Sequence, residues 1–149
     1  EKLNNYTTSQ KIWHPNEGSF DTLSKIAIYK TFQQFGKNQI IVTDEFYRTT
    51  STLDLDKLTD FEFSEKVSYA DYYLYSSDKE ILFTIEWDSF FYLIATHKDN
   101  MKQIRESNLF EGFLCDDETE HGWYYTDDDL QLLPESLGNE DIVKAKKKN

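Results

Sequence analysis

The sequence predicts a single α+β domain in which an antiparallel or mixed sheet is covered by two or three helices. Three observations lead to this fold class, two from the spacing of apolar residues and one from the length of the chain. Apolar residues recur at helical spacing within residues 19–35, and they alternate with period two within about residues 71–96. A third observation is length, because 149 residues can hide roughly two thirds of their unfolded surface around one core.

The first helix is predicted at about residues 19–35. Its apolar residues fall on one face at helical spacing, and they are Phe20, Leu23, Ala27, Ile28, Phe32 and Phe35. Ser19 is a suitable N-cap, Asp21 lies in the first turn, and Gly36 is suited to end the helix. A weak helical pattern follows at residues 56–67, and a short helix is predicted at residues 98–107.

Strands are predicted in three regions. Residues 39–43 are β-branched and apolar on both faces, as in a strand that is covered on both sides. The alternating region forms a β-meander at about residues 71–96, in which Ile81, Phe83, Ile85 and Trp87 share a face. Residues 110–115 form a further predicted strand, whereas residues 48–56 are rich in Thr, Ser and Asp and predict a loop.

The two ends of the chain are predicted to lie outside the packed fold. Residues 1–17 are polar and form a flexible lead-in, and residues 138–149 form a solvated tail that ends in a lysine cluster. A short helical turn at residues 127–133, capped by Thr126, is predicted between the fold and the tail. The chain begins with Glu1, so we keep the alternative that it is the C-terminal part of a longer protein.

Composition limits the partners. With 16 basic and 28 acidic residues the formal charge is −12, which repels phosphate backbones and anionic headgroups, so we expect no nucleic-acid and no membrane partner. The single cysteine, Cys115, cannot form an internal disulfide, which favours a reducing, cytoplasmic compartment. No apolar run approaches the roughly 20 residues of a membrane-spanning helix.

Several carboxylates are candidates for catalytic or metal-binding groups. Asp44 and Glu45 follow an apolar strand, as in magnesium sites of nucleotide hydrolases, but no glycine-rich phosphate loop accompanies them. Glu86 and Asp88 are two apart on a predicted strand, and so could share a face as an acid/base or metal pair. The ordinary interpretation of each group is a solvent-facing acid, so we expect no catalytic residue, no bound metal and no cofactor.

The acidic segment at residues 116–121 matches no recognised calcium loop or zinc helix. Cys115 and His121 are close in sequence, but closeness in sequence is not the hydrogen-bonded geometry of a thiol nucleophile and its base. An enzyme remains the alternative function. It would be a metal-dependent hydrolase or another enzyme that uses Glu86 and Asp88 with Asp44 and Glu45, or His121 with nearby acids.

The preferred functional region is the segment 116–129, in which aromatic residues lie among acids. Carboxylates speed encounter with a basic surface, and aromatic anchors slow its release. We therefore predict a non-enzymatic domain that binds a basic protein, such as an immunity or inhibitor protein that blocks a basic toxin or nuclease. The predicted contact residues are Asp116, Asp117, Glu118, Glu120, Trp123, Tyr124 and Asp128. In the alternative interpretation the aromatic residues close the core beneath a solvated loop.

Several spaced motifs together resemble an uncharacterised family of bacterial proteins that is catalogued only as a domain of unknown function. The motifs are Asn16-Glu17-Gly18, Val42-Thr-Asp-Glu-Phe46, Trp87-Asp-Ser-Phe-Phe91, and Phe110-Glu-Gly-Phe-Leu-Cys115 followed by Thr119-Glu120 and Trp123. The likeness covers about residues 13–125. It implies a bacterial cytoplasmic origin and a longer N-terminus, and it implies no activity and no catalytic residue. Glu86 and the long acidic stretch depart from the family pattern.

Overall fold

A computed structural model describes residues 2–12 and 17–119, with side chains from residue 5 onward. The chain divides into two compact units, residues 1–112 and residues 113–149. The first unit contains all the helices and strands of the described residues. In the second unit the described residues, 113–119, have no regular secondary structure.

Within the described residues the first unit has four α-helices and five strands. The helices are α1 (Lys2–Ser9), α2 (Thr22–Gln34), α3 (Asp60–Lys66) and α4 (Lys98–Glu106), and a 3₁₀ turn spans Leu55–Lys57. The strands are β1 (Gln39–Thr43), β2 (Thr50–Asp54), β3 (Tyr73–Ser76), β4 (Ile81–Ile85) and β5 (Tyr92–Thr96). The predicted α+β fold class is therefore confirmed.

The five strands form one open sheet in the order β2-β1-β3-β4-β5, and every neighbouring pair is antiparallel. The meander predicted at residues 71–96 is confirmed as β3, β4 and β5, and the strand at residues 39–43 is confirmed as β1. The loop predicted at residues 48–56 is wrong, because Thr50–Asp54 pairs with β1. As an edge strand, β2 leaves Thr50, Ser51 and Thr52 exposed, so its sequence lacks an apolar face.

One face of the sheet carries the core. Ile40, Val42, Leu74, Ile81 and Phe83 are each at most 2% exposed on this face. Helix α2 covers it through Ile28 and Phe32, and the Phe32 ring meets Phe83 edge-on with centroids 5.3 Å apart. Burial of such side chains contributes roughly 1.5–3 kcal/mol each.

Helix α2 begins one turn later than predicted. Its N-cap is Asp21 and not Ser19, since the Asp21 carboxylate accepts hydrogen bonds from the backbone N–H groups of Leu23 and Ser24 at 2.8 and 3.0 Å. The buried side of α2 consists of Ile28, Thr31 and Phe32, and Leu23 is 78% exposed, contrary to the prediction that it faces the core. Gly36, which lies just after the C-terminus of α2, has a positive φ of 63°, as expected for a glycine that ends a helix.

Helix α3 packs on α2 and completes the core layer with Phe63 and Val67. Thr59 and Glu62 form a capping box at its start. At its C-terminus Lys25 donates to the carbonyl of Val67 at 2.7 Å, which satisfies a helix-end acceptor. The weak helical pattern at residues 56–67 is thus confirmed in its second half.

Two further expectations need correction. Residues 110–115 are not a strand, because β5 has no neighbour beyond it within the described residues. Phe110 instead packs against the rings of Phe83 and Tyr92, with centroids 5.8 and 6.1 Å apart. The lead-in at residues 1–17 contains α1, which the sequence does not predict because its residues are mostly polar.

The helix predicted at residues 98–107 is confirmed as α4. The turn predicted at residues 127–133 and the lysine-rich tail lie outside the described residues. No helix among the described residues is long and apolar enough to cross a membrane.

Candidate functional site

Three loops meet at one end of the sheet, and we call this region the aromatic end. They are residues 44–49 after β1, residues 68–72 before β3, and residues 86–91 after β4. Thr43 pairs with Tyr73, and Tyr73 pairs with Thr84, so the end of β1, the start of β3 and the end of β4 lie side by side. The strand order therefore assembles segments that are distant in sequence.

The aromatic end concentrates exposed rings. Within the described residues nine aromatic side chains are strongly exposed, and six belong to these loops. The six are Phe46, Tyr47, Tyr69, Trp87, Phe90 and Phe91, each between 48% and 63% exposed. Single exposed apolar residues are normal on protein surfaces, whereas a contiguous group is typical of an interaction site.

Asp44 fixes the shape of the first loop. Its buried carboxylate accepts hydrogen bonds from the backbone N–H groups of Phe46, Arg48 and Thr49 at 3.0, 2.9 and 3.1 Å, and from the Thr49 hydroxyl at 2.8 Å. Burial opposes ionisation of Asp44, but these hydrogen bonds together outweigh it and hold the pKa of Asp44 below its ordinary value. This acid therefore has a structural role.

The loop that Asp44 shapes presents Tyr47 to the sheet. Tyr47 adopts a positive φ of 55°, and its ring stacks on Tyr73 with centroids 5.4 Å apart and planes 10° apart. The pKa of the Tyr73 hydroxyl is raised, first by burial and then by the charges of Tyr47, Glu45 and Glu86. Carboxylates from two different loops thus act on the same stacked pair.

The backbone of Gly18 lies against the loop of residues 86–91 and holds it in place. The N–H of Gly18 donates to the carbonyl of Ser89 at 2.9 Å, and Gly18 has a φ of 64°. A Cβ at Gly18 would lie 2.1 Å from the carbonyl oxygen of Trp87, so the approach requires glycine. Ser89 is 3% exposed, and its hydroxyl has no hydrogen-bond partner within the part of the chain that is described.

Most carboxylates of the aromatic end are not neutralised. The three loops carry Asp44, Glu45, Asp71, Glu86 and Asp88 but a single cation, Arg48. Among the described residues Glu45, Glu86 and Asp88 form no ion pair. The guanidinium of Arg48 lies 4.8 Å from the centroid of the Phe46 ring, an arrangement that stabilises a cation over an aromatic face.

The opposite end of the sheet has the reverse character, and we call it the paired end. There the side chain of Lys37 contacts Asp78 at 2.6 Å and also Glu80, and Lys57 contacts Asp54 at 2.7 Å. Ser76 is fully buried, and its hydroxyl donates to Asp78 and accepts from the N–H groups of Glu80 and Ile81. No large apolar side chain is strongly exposed in residues 37–39, 54–58 or 76–81.

The structure corrects the predicted geometry of Glu86 and Asp88. Strand β4 ends at Ile85, so both acids lie in the loop that follows and not on one face of a strand. Trp87 does not continue the buried face of Ile81, Phe83 and Ile85, because it is 62% exposed. Within the described residues no three acidic, histidine or cysteine side chains are grouped to hold a metal ion.

The predicted contact segment is described only in part. Asp116, Asp117 and Glu118 are exposed, and the Asp116 carboxylate accepts from the Glu118 N–H and the Thr119 hydroxyl at 3.1 and 2.8 Å. Cys115 is exposed and free. Glu120, His121, Trp123, Tyr124 and Asp128 lie outside the described residues, so their contact role stays a prediction.

Sequence reasoning missed Phe46, Tyr47, Tyr69 and Phe90 as surface residues. A signal was present, since each is a large aromatic in or next to a segment without strand or helix periodicity, and each has an acid within two residues. What the sequence could not supply was their proximity, which depends on the strand order.

Comparison with known proteins gives a family and no activity. No curated protein and no solved structure matches the chain. A family model described as a protein of unknown function, DUF2711, matches residues 1–125, which includes both α1 and the aromatic end. The chain therefore belongs to the DUF2711 family of proteins of unknown function.

Proposed function

We propose that this protein is a non-enzymatic binding domain whose aromatic end contacts a basic surface of another protein. The observation that carries the proposal is the group of six exposed aromatic side chains beside Glu45, Glu86 and Asp88, which form no ion pair with any described residue. A partner that covers a group of exposed rings removes their apolar area from water, which favours binding. Tyr and Trp are also the residues that most often anchor protein interfaces.

Charge gives the class of partner. Glu45, Glu86 and Asp88 attract Lys and Arg side chains, and the net charge of −12 adds a long-range field of the same sign. The contact between Arg48 and Phe46 is an internal example of the pairing that a partner arginine would form with Tyr47 or Trp87. An inhibitor or immunity protein that covers the substrate cleft of a basic toxin or nuclease is one function of this kind.

We propose the acidic segment at residues 116–128 as a contact region in its own right. Its carboxylates would attract a basic partner, and Trp123 and Tyr124 would supply aromatic anchors. A cytoplasmic location also belongs to the proposal, since the free Cys115 suits a reducing compartment.

The test captures partners from a lysate of the source cell with immobilised full chain and then measures the purified partner. Three chains are compared: the parent, the variant Glu45→Gln/Glu86→Gln/Asp88→Asn, and the control Glu65→Gln/Asp99→Asn/Glu111→Gln, which removes equal charge from exposed sites elsewhere. We expect the first variant to lower the association rate of a basic partner about tenfold at low salt, and the control to lower it far less.

A second comparison tests the aromatic anchors. The variant Tyr47→Ser/Trp87→Ala should raise the dissociation rate about tenfold or more, whereas Phe61→Ser, which removes a 58% exposed ring from α3, should leave it unchanged. If the partner is acidic, or if all chains retain it equally, the aromatic end is not the binding surface.

A further inference from the structure

The two edge strands of the sheet differ in how they are protected. Strands β2 and β5 are the edges, and β2 is polar, with the sequence Thr-Ser-Thr-Leu-Asp. Strand β5 reads Tyr-Leu-Ile-Ala-Thr and contains no charge and no proline. Monomeric proteins usually protect an exposed edge strand from further pairing by a charge, a proline, a bulge or a covering segment. The sequence of β5 contains neither a charge nor a proline.

The sheet register defines which groups of β5 face outward. The N–H of Ile85 donates to the carbonyl of Tyr72, so alternate residues of β4, namely Ile81, Phe83 and Ile85, bond to β3. Leu82 and Thr84 therefore bond to β5 through their partners Ala95 and Leu93.

The backbone N–H and C=O groups of Tyr92, Ile94 and Thr96 consequently point away from the sheet. No main-chain group of the described residues pairs with them. These three residues present a row of donors and acceptors on an apolar strand, which is a template for a further strand.

We propose that a second copy of this chain pairs with β5, antiparallel and centred on Ile94, to form a two-fold dimer with a continuous ten-stranded sheet. In this register Tyr92 lies opposite Thr96 of the second copy, and Ile94 lies opposite its own equivalent. Each outward-facing pair exchanges two hydrogen bonds, so all outward groups of both strands are satisfied. A shift by two residues in either direction leaves part of each edge unpaired.

Side chains and charges fit the same arrangement. Leu93, which is 48% exposed, lies opposite the exposed Ala95 of the second copy on the face that α2 and α3 do not cover. The antiparallel direction brings Glu86 and Asp88, which precede β5, towards Lys98 and Lys102, which follow it in α4. Helix α4 also contains Asp99 and Glu106, and Lys102 lies 4.0 Å from Glu106 of its own chain. A two-fold interface repeats each such contact, so the excess of one basic residue in α4 of each copy lies towards the acids that precede β5 in the other copy.

The experiment measures self-association of the purified full chain by sedimentation equilibrium at low and raised salt. We expect a monomer–dimer equilibrium that Lys98→Glu/Lys102→Glu weakens about tenfold or more and that adding Glu86→Lys/Asp88→Lys restores. The control Lys30→Glu/Lys66→Glu makes the same charge change at exposed sites on α2 and α3, and it should not alter the equilibrium. A monomer at all concentrations, or an equilibrium indifferent to these changes, overturns the proposal.

Amide hydrogen exchange locates the interface independently of the charges. Protection of the Tyr92, Ile94 and Thr96 amides should rise with protein concentration, while amides of β2 should not change. A dimer whose β5 amides exchange equally fast at all concentrations pairs through another surface, and would also overturn the proposal. Because only the purified chain is used, either failure leaves the proposed binding of another protein untouched.

Discussion

The two ends of the sheet are built from the same five strands but differ in how their polar groups are satisfied. At the paired end Lys37 neutralises Asp78 and Glu80, and the buried Ser76 hydroxyl makes three hydrogen bonds. At the aromatic end Glu45 and Glu86 have no cation, the Ser89 hydroxyl has no partner among the described residues, and six rings are exposed. The polar groups of the first end are satisfied within the fold, whereas the exposed rings and carboxylates of the second end are those that the proposed partner would contact.

The largest expected effect concerns the glycine that holds the third loop of the aromatic end. Gly18→Ala should lower the free energy of unfolding by about 3–4 kcal/mol, because the new methyl group meets the Trp87 main chain and φ is positive. Gly36→Ala is the matched control, since Gly36 has a φ of 63° but no atom within 4 Å of the position that the new methyl group would take. It should cost only about 1 kcal/mol.

Urea unfolding of the two glycine variants checks this prediction. Equal losses for Gly18→Ala and Gly36→Ala would mean that backbone conformation alone sets the cost, and that the loop of residues 86–91 can move away from Gly18. Such movement would remove the rigid scaffold on which Trp87 and Phe90 are presented.

Two buried serines give the next comparison between the ends. Ser76→Ala should lower the free energy of unfolding by about 2 kcal/mol, because the N–H of Ile81 loses its acceptor inside the protein. Ser89→Ala removes a buried hydroxyl that has no partner within the described residues, so we expect it to be neutral or to stabilise by up to about 1 kcal/mol. Thermal and urea denaturation measure both; a large loss for Ser89→Ala would show that its hydroxyl is bonded in solution.

A smaller effect is expected from the ion pairs of the paired end as pH falls. The hydrogen bond from Lys37, followed by that from Ser76, lowers the pKa of Asp78 from 3.8 to about 2. The folded state therefore binds this proton less readily than the unfolded chain, so the contribution of Asp78 is complete above pH 3.8 and is lost as pH falls to about 2.

Unfolding of the parent chain and of Asp78→Asn between pH 7 and pH 2 measures this contribution. The stability difference between them should be constant near neutral pH and should shrink below the unfolded pKa of 3.8. It should also be modest, since Asp78 is partly exposed and such pairs contribute about 0–1 kcal/mol. If the stability difference between the two chains is unchanged at the lowest pH, ionisation of Asp78 is not its cause.

The smallest effect on stability is expected from substitutions of the exposed aromatic residues, for which the largest effect on partner binding is expected. Tyr47→Ser and Trp87→Ala remove side chains that are 63% and 62% exposed, so each should change the free energy of unfolding by about 0.5–1 kcal/mol or less. If denaturation experiments show that either variant loses several kcal/mol of unfolding free energy, these rings stabilise the fold. The proposed difference between the two ends of the sheet would then be wrong.

Much of the fold could be predicted from local patterns. Strand β1 and the strands of the meander within residues 71–96 have apolar residues that are continuous or alternate, and α2 follows from the spacing of Ile28 and Phe32. Strand β2 was missed because an edge strand with Thr and Ser on its exposed positions carries no apolar alternation. The segment 110–115 was mistaken for a strand because an apolar run does not reveal whether a pairing partner exists.

The candidate site was predictable only in its chemistry. The sequence indicated aromatic residues among acids, but it favoured the segment 116–129, where such residues are adjacent in the chain. At the aromatic end Tyr47 and Tyr73 are 26 positions apart by their numbers and still stack. Long-range strand pairing brings them together, and that pairing was visible only in the structure.

The most direct test of the aromatic end is an amide hydrogen-exchange footprint of the full chain with and without its captured, purified partner. The binding proposal predicts added protection in residues 44–49, 68–72 and 86–91, and no change in the turn of residues 77–80 at the paired end. Protection confined to the paired end, or absent from all three loops in a saturated complex, would contradict the assignment of the aromatic end as the binding surface.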